Sequence, residues 1–464
     1  MKFYGLNPEM SAIEDWCICG SETGEPKEWL YIGRLAEYGR RYNVKFDISK
    51  EKVIAIVGKR GQGKSYTLAS LIEGLITANN PSSISSMNGN RAILVFDTLN
   101  IFQWMNIPLK SHAKYPEIEK QASLLTGWGV EPEILNVDIW VPAGYKYELT
   151  PPDYKDLFID VSSFSVEDWG ALLNLDIVRD IKGQFISETY QKVISIGWRD
   201  IKGNYFSPKP NYSIQDLINC IEHDEDKEES IFKPDTRRAV LQQLRSYAMH
   251  KTFSGNGTPL NEILKPGRAA VILLNRLPED LRGVLVATMV RRVIQERAEA
   301  SENIKDLLIN PTLDKKLRLE KEKFVKNTIP KTWIVIDEAQ NVIPSGRKTS
   351  ATDSLIKLVK EGRNFGLSFA VTTQQPRSLD VNVLSQVETF IVHKLVSQID
   401  IDFILENLKC PFPNQAKDDY ATLTSKELLR DIEVGQAVVS DTNTMRCFVM
   451  EIRPRVSVHG GFEA

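Results

Sequence analysis

The sequence predicts an α/β fold with a mainly parallel sheet, and three observations carry that reading. Apolar runs that fit buried strands alternate with segments of helical periodicity along much of the 464-residue chain, as in β-α-β units whose helices cover both sheet faces. Residues 53 to 65, Val-Ile-Ala-Ile-Val-Gly-Lys-Arg-Gly-Gln-Gly-Lys-Ser, feed one such run into a loop spelled G-x-x-x-x-G-K-S. A later run, Trp333-Ile-Val-Ile-Asp337-Glu338, ends in two carboxylates.

Taken in order, Trp29 to Leu35 and Tyr42 to Ile48 read as two strands joined by a charged turn, too little for an independent domain. Residues 1–50 are therefore a short N-terminal β segment, and 51–452 the core. After the glycine-rich loop, Leu68, Leu71, Ile72, Leu75 and Ile76 recur at helical spacing. A Ser/Asn-rich break, Pro81 to Asn90, leads to a strand at Ala92 to Phe96 ending at Asp97, which completes a parallel β-α-β unit. Residues from about 100 to 265 read as a mainly helical insertion with a strand-like Val137 to Val141 and amphipathic pieces around Leu157 to Leu175 and Arg238 to Met249. Its acidic run, Glu222 to Glu229, reads as a solvated loop. A strand at Ala270 to Leu274 precedes a helix from about Pro278 to Arg297. The charged stretch Ser301 to Lys331 fits either a helical excursion or a loop. Strands resume at Trp333 to Ile336, Ser368 to Thr373, Thr389 to Leu395 and Gln436 to Ser440, with helical patterns at Ser354 to Lys360 and Val383 to Gln386 between them. Residues 453–464 form a C-terminal tail.

Bulk properties exclude several classes. A net charge of −3 rules out a uniformly basic nucleic-acid binder, so any DNA contact needs local Lys and Arg. Trp198 to Lys202 with Tyr205 and Phe206, and Arg237, Arg238 and Arg245, are such groups, and each reads equally well as solvated surface. No stretch reaches the ~18 to 20 apolar residues of a membrane span, and the N-terminus lacks a signal-peptide pattern. The expectation is a cytoplasmic protein with no membrane partner. Five scattered cysteines, Cys17, Cys19, Cys220, Cys410 and Cys447, fit reduced thiols. Cys17 and Cys19 have no second ligand pair at zinc spacing and read as structural.

The glycine-rich loop carries the chemistry. Glycines keep side chains away so that backbone N–H groups face a β-phosphate at a helix N-terminus, where the dipole also favours the anion. Gly58, Gly61, Gly63, Lys64, Ser65 and Tyr66 are the candidate nucleotide-binding residues, with Lys64 toward the β- and γ-phosphates and Ser65 on Mg²⁺. Asp337 is the second candidate on the metal, and Glu338 the candidate general base on the attacking water. The pair points to ATP with Mg²⁺, and to hydrolysis rather than binding alone. Gln374 stands at the C-terminal end of its strand, the side where ligands of open α/β sheets sit. Arg363, between Gly362 and Gly366, is placed to project a guanidinium; a plain surface arginine is the other reading.

The order and wording of these motifs resemble the HerA–FtsK superfamily of ring-forming DNA-translocating ATPases, the HerA branch most closely. Glu361-Gly-Arg-Asn-Phe-Gly-Leu, Thr373-Gln-Gln-Pro-Arg-Ser-Leu-Asp380 and Val383-Leu-Ser-Gln-Val-Glu-Thr-Phe-Ile391 are similar to that branch's R-x-F-G, S-Q-R-P, L-D and L-S-Q-x-x-T. The likeness runs from about Tyr31 to Gly461. It implies a P-loop NTPase core of the RecA-like, ASCE type, with Lys64, Ser65, Asp337, Glu338 and Gln374 in the roles above. It further implies that Arg363 is a finger acting across a subunit boundary, that Asp97 is an additional acidic residue of the site, and that the tail from Arg453 braces a neighbouring subunit. The N-terminal β segment would be a remnant of the family's barrel. The implied partners are a homo-hexamer of this chain, duplex DNA, and a separate nuclease or other effector, in DNA processing or anti-phage defence. Three departures stand out: Gln340 where His is common, Gln375 where S-Q-R-P has Arg, and Thr-Leu-Asn after Asp97. The reduced N-terminus with Gln340 and Gln375 leaves room for a second reading, an ATP-binding ring that scaffolds and gates a partner enzyme. A small-molecule kinase is a third, disfavoured by the D-E-A-Q strand end.

Overall fold

In the computed structural model, which describes residues 8–11, 16–21, 24–36, 42–76, 84–87, 91–110, 115–225, 232–253, 257–408, 410, 415–417 and 422–461, one large sheet organises the chain. Its centre is parallel. Thr389–Val392, Val53–Val57, Leu367–Thr373, Lys331–Ile336, Arg91–Asp97, Ala269–Leu273, Val137–Pro142 and Lys155–Leu157 lie side by side in that order. Every residue of Val53–Val57, Arg91–Asp97 and Leu367–Thr373 is buried. That is why they do not alternate apolar and polar residues: Val53–Val57 is apolar throughout, and Ser368, Thr372 and Thr373 are buried in Leu367–Thr373 beside its apolar residues. The phosphate-loop strand and the acidic strand are not neighbours: Leu367–Thr373 lies between them and brings Gln374 to the gap.

Beyond Thr389–Val392 the sheet turns antiparallel through Gln436–Asp441, Arg446–Ile452, Trp29–Leu35 and Asn43–Asp47. The two expected N-terminal strands thus pair with each other and continue the core sheet. Trp16–Cys19, which the sequence reading missed, pairs with Asn43–Asp47 and buries Cys17 and Cys19. All five cysteines are buried thiols outside any disulfide.

The insertion is mainly helical but gives the sheet two strands, Val137–Pro142 and Lys155–Leu157. The amphipathic piece expected over Leu157 to Leu175 divides, because Ser165 and Asp168 form a capping box that starts a helix at Val166–Leu173. The acidic run begins on the end of helix Ile214–His223, and its residues 226–229 lie outside the described ones, as does most of the Pro81 to Asn90 break. The charged stretch is helical: Glu279–Ile309 runs on past Arg297, and Lys315–Asn327 lies against it, with Lys321 Nζ 2.8 Å from Asp306 Oδ2. Among the described residues, no helix is long and apolar enough to cross a membrane.

The tail enters the core of its own subunit. Arg453 and Arg455 are fully buried against Glu73, on the buried face of helix Lys64–Ile76. Glu73 accepts from Arg453 Nη1 at 2.9 Å, Arg455 Nε at 3.1 Å, Ser457 Oγ at 2.6 Å and the backbone N–H groups of Val456 and Ser457. Burial alone would raise the Glu73 carboxyl, but Arg455, Arg453 and Ser457 outweigh it and hold it below its ordinary 4.5. Stability from this cluster is therefore full above pH 4.5 and is lost as pH falls through the lower folded value. Glu73→Ala strands two buried guanidiniums, and we expect a loss of about 3–5 kcal/mol, read as a shifted midpoint in urea denaturation.

Candidate nucleotide site

The strand Val53–Val57 delivers the loop at its C-terminal end, where backbone bonds tie it to both neighbours. Gly58 N–H donates to Thr373 O at 3.3 Å and Lys59 N–H to Lys394 O at 3.0 Å. A Cβ on Gly58 would come within 2.7 Å of the His393 Cβ, and Gly61 and Gly63 hold φ of +77° and +99°, conformations that disfavour side chains. Helix Lys64–Ile76 then starts with its N-terminus facing the loop. His393 braces this turn from below: its Nδ1 is 2.8 Å from Gln436 O and its Nε2 2.8 Å from Thr67 Oγ1. The carbonyl can only accept, so Nδ1 carries the proton and Thr67 donates to Nε2. Burial pushes His393 down to about 4, so it stays neutral. Sequence reasoning missed it; its only signal was a lone His after the apolar run ending at Val392.

The acidic strand ends beside this loop. Ser65 Oγ lies 3.2 Å from Asp337 Oδ1, and Thr372 Oγ1 donates to the same oxygen at 2.5 Å. Asp337 is fully buried, and burial pushes its carboxyl up to about 7. Glu338 takes a left-handed backbone, φ 49° and ψ 57°, a conformation that costs energy for a residue with a Cβ. Its N–H is held by Thr372 Oγ1 at 2.9 Å. Its carboxylate accepts from Gln374 Nε2 at 2.6 Å on one oxygen and from Gln340 Nε2 at 2.7 Å on the other. Lys64 Nζ stands 3.7 Å from Oε1 and donates to Lys59 O at 3.2 Å. Burial lowers the Lys64 pKa, opposed by Glu338 and Asp337.

Lys64, Ser65, Asp337, Glu338 and Gln374, five of the residues singled out by sequence, thus converge. Gln340, noted there only as a departure, is a direct partner of Glu338, while Gln375 accepts from Ser378 Oγ at 3.0 Å. Thr372 is a further residue the sequence did not reveal: one hydroxyl joins both carboxylate residues. Thr372→Val removes it without changing shape and leaves buried Asp337 short of a donor. We expect about 1–3 kcal/mol lost, measured by thermal denaturation, with slower turnover.

Asp97 is differently placed. It is fully buried, and its oxygens accept from the backbone N–H groups of Leu99, Ile101 and Phe102 at 3.2, 3.1 and 2.8 Å, which holds the following loop in shape. Burial pushes it up to about 6. Arg363 is half exposed, in a turn at Gly362–Phe365 just before Leu367–Thr373, and pairs with Glu388. It stands at the opposite end of that strand from Gln374, roughly 20 Å of strand away.

A cavity of about 1180 Å³ opens over the loop, lined by Gly61, Lys64, Ser65, Tyr66, Glu338 and Gln374, and also by residues of helix Pro116–Trp128 and of the tail. Backbone donors at a helix N-terminus, a lysine and a hydroxyl–carboxylate pair suit a nucleoside triphosphate with a hard cation.

Residues 30–293 match the family described as "Helicase HerA, central domain". Among curated proteins, the DNA double-strand break repair helicase HerA of Pyrococcus furiosus is 26% identical over 211 residues, covering 44% of this chain and 37% of that protein. The protein of the same description from Sulfurisphaera tokodaii is 23% identical over 388 residues, covering 83% of this chain and 61% of its own. The chain thus spans less than two thirds of the length of either relative. Among solved structures, VirB4 of Thermoanaerobacter pseudethanolicus superposes with a TM-score of 0.51 at 12% identity over 93% of this chain and 97% of that one, a likeness of fold. With more than half of its residues inside that family's central domain, on a P-loop NTPase fold, the chain belongs to the HerA branch of the HerA–FtsK superfamily.

Proposed function

We propose that the protein is an ATP-hydrolysing motor that moves along duplex DNA as a hexameric ring and serves a separate nuclease or other effector, in DNA processing or anti-phage defence. The observation that carries this reading is Glu338, held by Gln374 and Gln340 beside Lys64 in the cavity of the phosphate loop. Backbone N–H groups from Gly61 to Ser65 bind and orient the phosphates, and Lys64 balances their charge. Glu338 takes the proton of the water as its oxygen bonds to the γ-phosphorus and the bond to the β–γ bridging oxygen breaks. Ser65 and Asp337, an oxygen-only pair, are the residues that would hold Mg²⁺, which when bound offsets charge on the β- and γ-phosphates.

Arg363 cannot serve its own nucleotide from the far end of the strand, so we assign it to the neighbour's. Such an arginine requires a ring. The tail's buried anchor on Glu73 leaves any bracing of a neighbour to residues beyond it. The helicase name of the relatives supports DNA as the track.

The scaffold reading retains one supporting observation: both Glu338 oxygens are engaged by amides, so the base must be released before it works, and a partner could control that step. Displacement of a third strand from duplex DNA separates the two. A motor displaces it with ATP, and Lys64→Ala does not. A hydrolysing ring that never displaces it supports the scaffold.

A further inference from the structure

The cavity is larger than the phosphate loop needs, and its remainder has a distinct character. Leu99 and Leu124 are 46% and 51% exposed, yet both line this concave surface together with Trp128. Trp128 is held in place: the Arg34 guanidinium lies 4.3 Å over its ring, and Arg34 Nη1 donates to Gly127 O at 3.1 Å. The tail supplies His459, packed edge-on to Tyr66 with ring centroids 5.2 Å apart.

His459 has a fixed tautomer. Arg455 Nη1, which can only donate, lies 2.9 Å from His459 Nδ1, so Nδ1 accepts and Nε2 carries the hydrogen. Arg455 is itself locked by Glu73, and its backbone N–H donates to Tyr66 Oη at 2.8 Å. Burial, aided by Arg455, pushes His459 down to about 3, so the ring offers a neutral N–H donor at any working pH. The tail segment is also pinned from outside, with Val458 N–H donating to Ile107 O at 3.0 Å and Gly460 seated where a Cβ would meet Trp104 at 2.0 Å.

An apolar wall with one aromatic face and a few set polar groups is what a nucleoside requires. Tyr66 directly follows Ser65, so the cavity leads from the phosphate loop to this wall without a break. We propose that Leu124 and Trp128 receive the base of the nucleotide whose phosphates the loop holds, and that His459 donates its Nε2 hydrogen to an acceptor on the base or ribose. The proposal rests on the phosphate-loop reading and adds binding residues to it.

The test compares ATP with inorganic tripolyphosphate by calorimetry on the full chain, for wild type, His459→Ala, His459→Gln, Leu124→Ser and Lys64→Ala. His459→Ala and Leu124→Ser are each expected to weaken ATP about five- to tenfold and leave tripolyphosphate unchanged; His459→Gln keeps an N–H donor and recovers most of the loss. Lys64→Ala weakens both ligands. Equal losses for both ligands in the His459 and Leu124 variants, or losses for neither, overturn the assignment. So does a wild type that binds ATP no more tightly than tripolyphosphate. A wild type that binds neither removes the phosphate-loop reading first, and this inference with it.

Discussion

Glu338→Gln is expected to keep nucleotide binding near that of the wild type while hydrolysis falls about 10²- to 10⁴-fold, the usual contribution of a positioned general base. The phosphates are held by backbone N–H groups and Lys64, none of which the change removes. What is lost is the oxygen that takes the water's proton. The clamp also suffers, because Gln374 and Gln340 both donate to this carboxylate, and an amide at 338 offers one acceptor where two are used. Single-turnover phosphate release, set against equilibrium binding of ATP, separates the two effects. Loss of binding together with turnover would make Glu338 a ligand instead of a base.

Arg363→Ala carries the second large effect. An arginine acting across a subunit boundary is worth about 10³- to 10⁵-fold in comparable NTPases, so turnover should nearly vanish while each subunit still binds ATP. The position of Arg363, at the opposite end of its strand from the nucleotide loop and paired with Glu388, makes the decisive experiment a mixture. Arg363→Ala subunits retain Glu338, and Glu338→Gln subunits retain Arg363, so mixed rings contain some interfaces with both groups intact. Partial recovery on mixing is expected. Rings demonstrated to mix yet showing no recovery would place Arg363 outside the chemistry.

The parts of this site that were legible in the sequence are the parts imposed by local backbone chemistry. A loop that presents successive N–H groups to a phosphate needs glycine where φ is positive, so Gly61 and Gly63 announce it. Strands buried on both faces announce themselves as apolar runs, as in those that end at Gly58 and Asp337. Thr372 and His393 carried no such mark. Their roles come from partners distant in sequence, Asp337 at the end of the neighbouring strand and Thr67 on the phosphate-loop helix, and a Thr at a strand end or a His after one is ordinary without them. Asp97, which the family resemblance alone pointed to, turns its oxygens to the backbone of the loop that follows it, while its charge is felt by Asp337. The family resemblance turned the tail from Arg453 toward a neighbouring subunit, and nothing local reveals that Glu73 awaits Arg453 and Arg455 on the buried face of a helix in the same chain. Leu124 and Trp128 lie in the insertion without a local mark, and only the fold places them in the cavity of the phosphate loop.

The most direct test of the central claim is the steady-state ATPase rate of the purified protein with and without linear duplex DNA, with the mass in solution determined on the same sample. A hexamer-sized species whose hydrolysis is strongly stimulated by DNA is the predicted result. A ring that hydrolyses slowly and ignores DNA until another protein is added would contradict the motor.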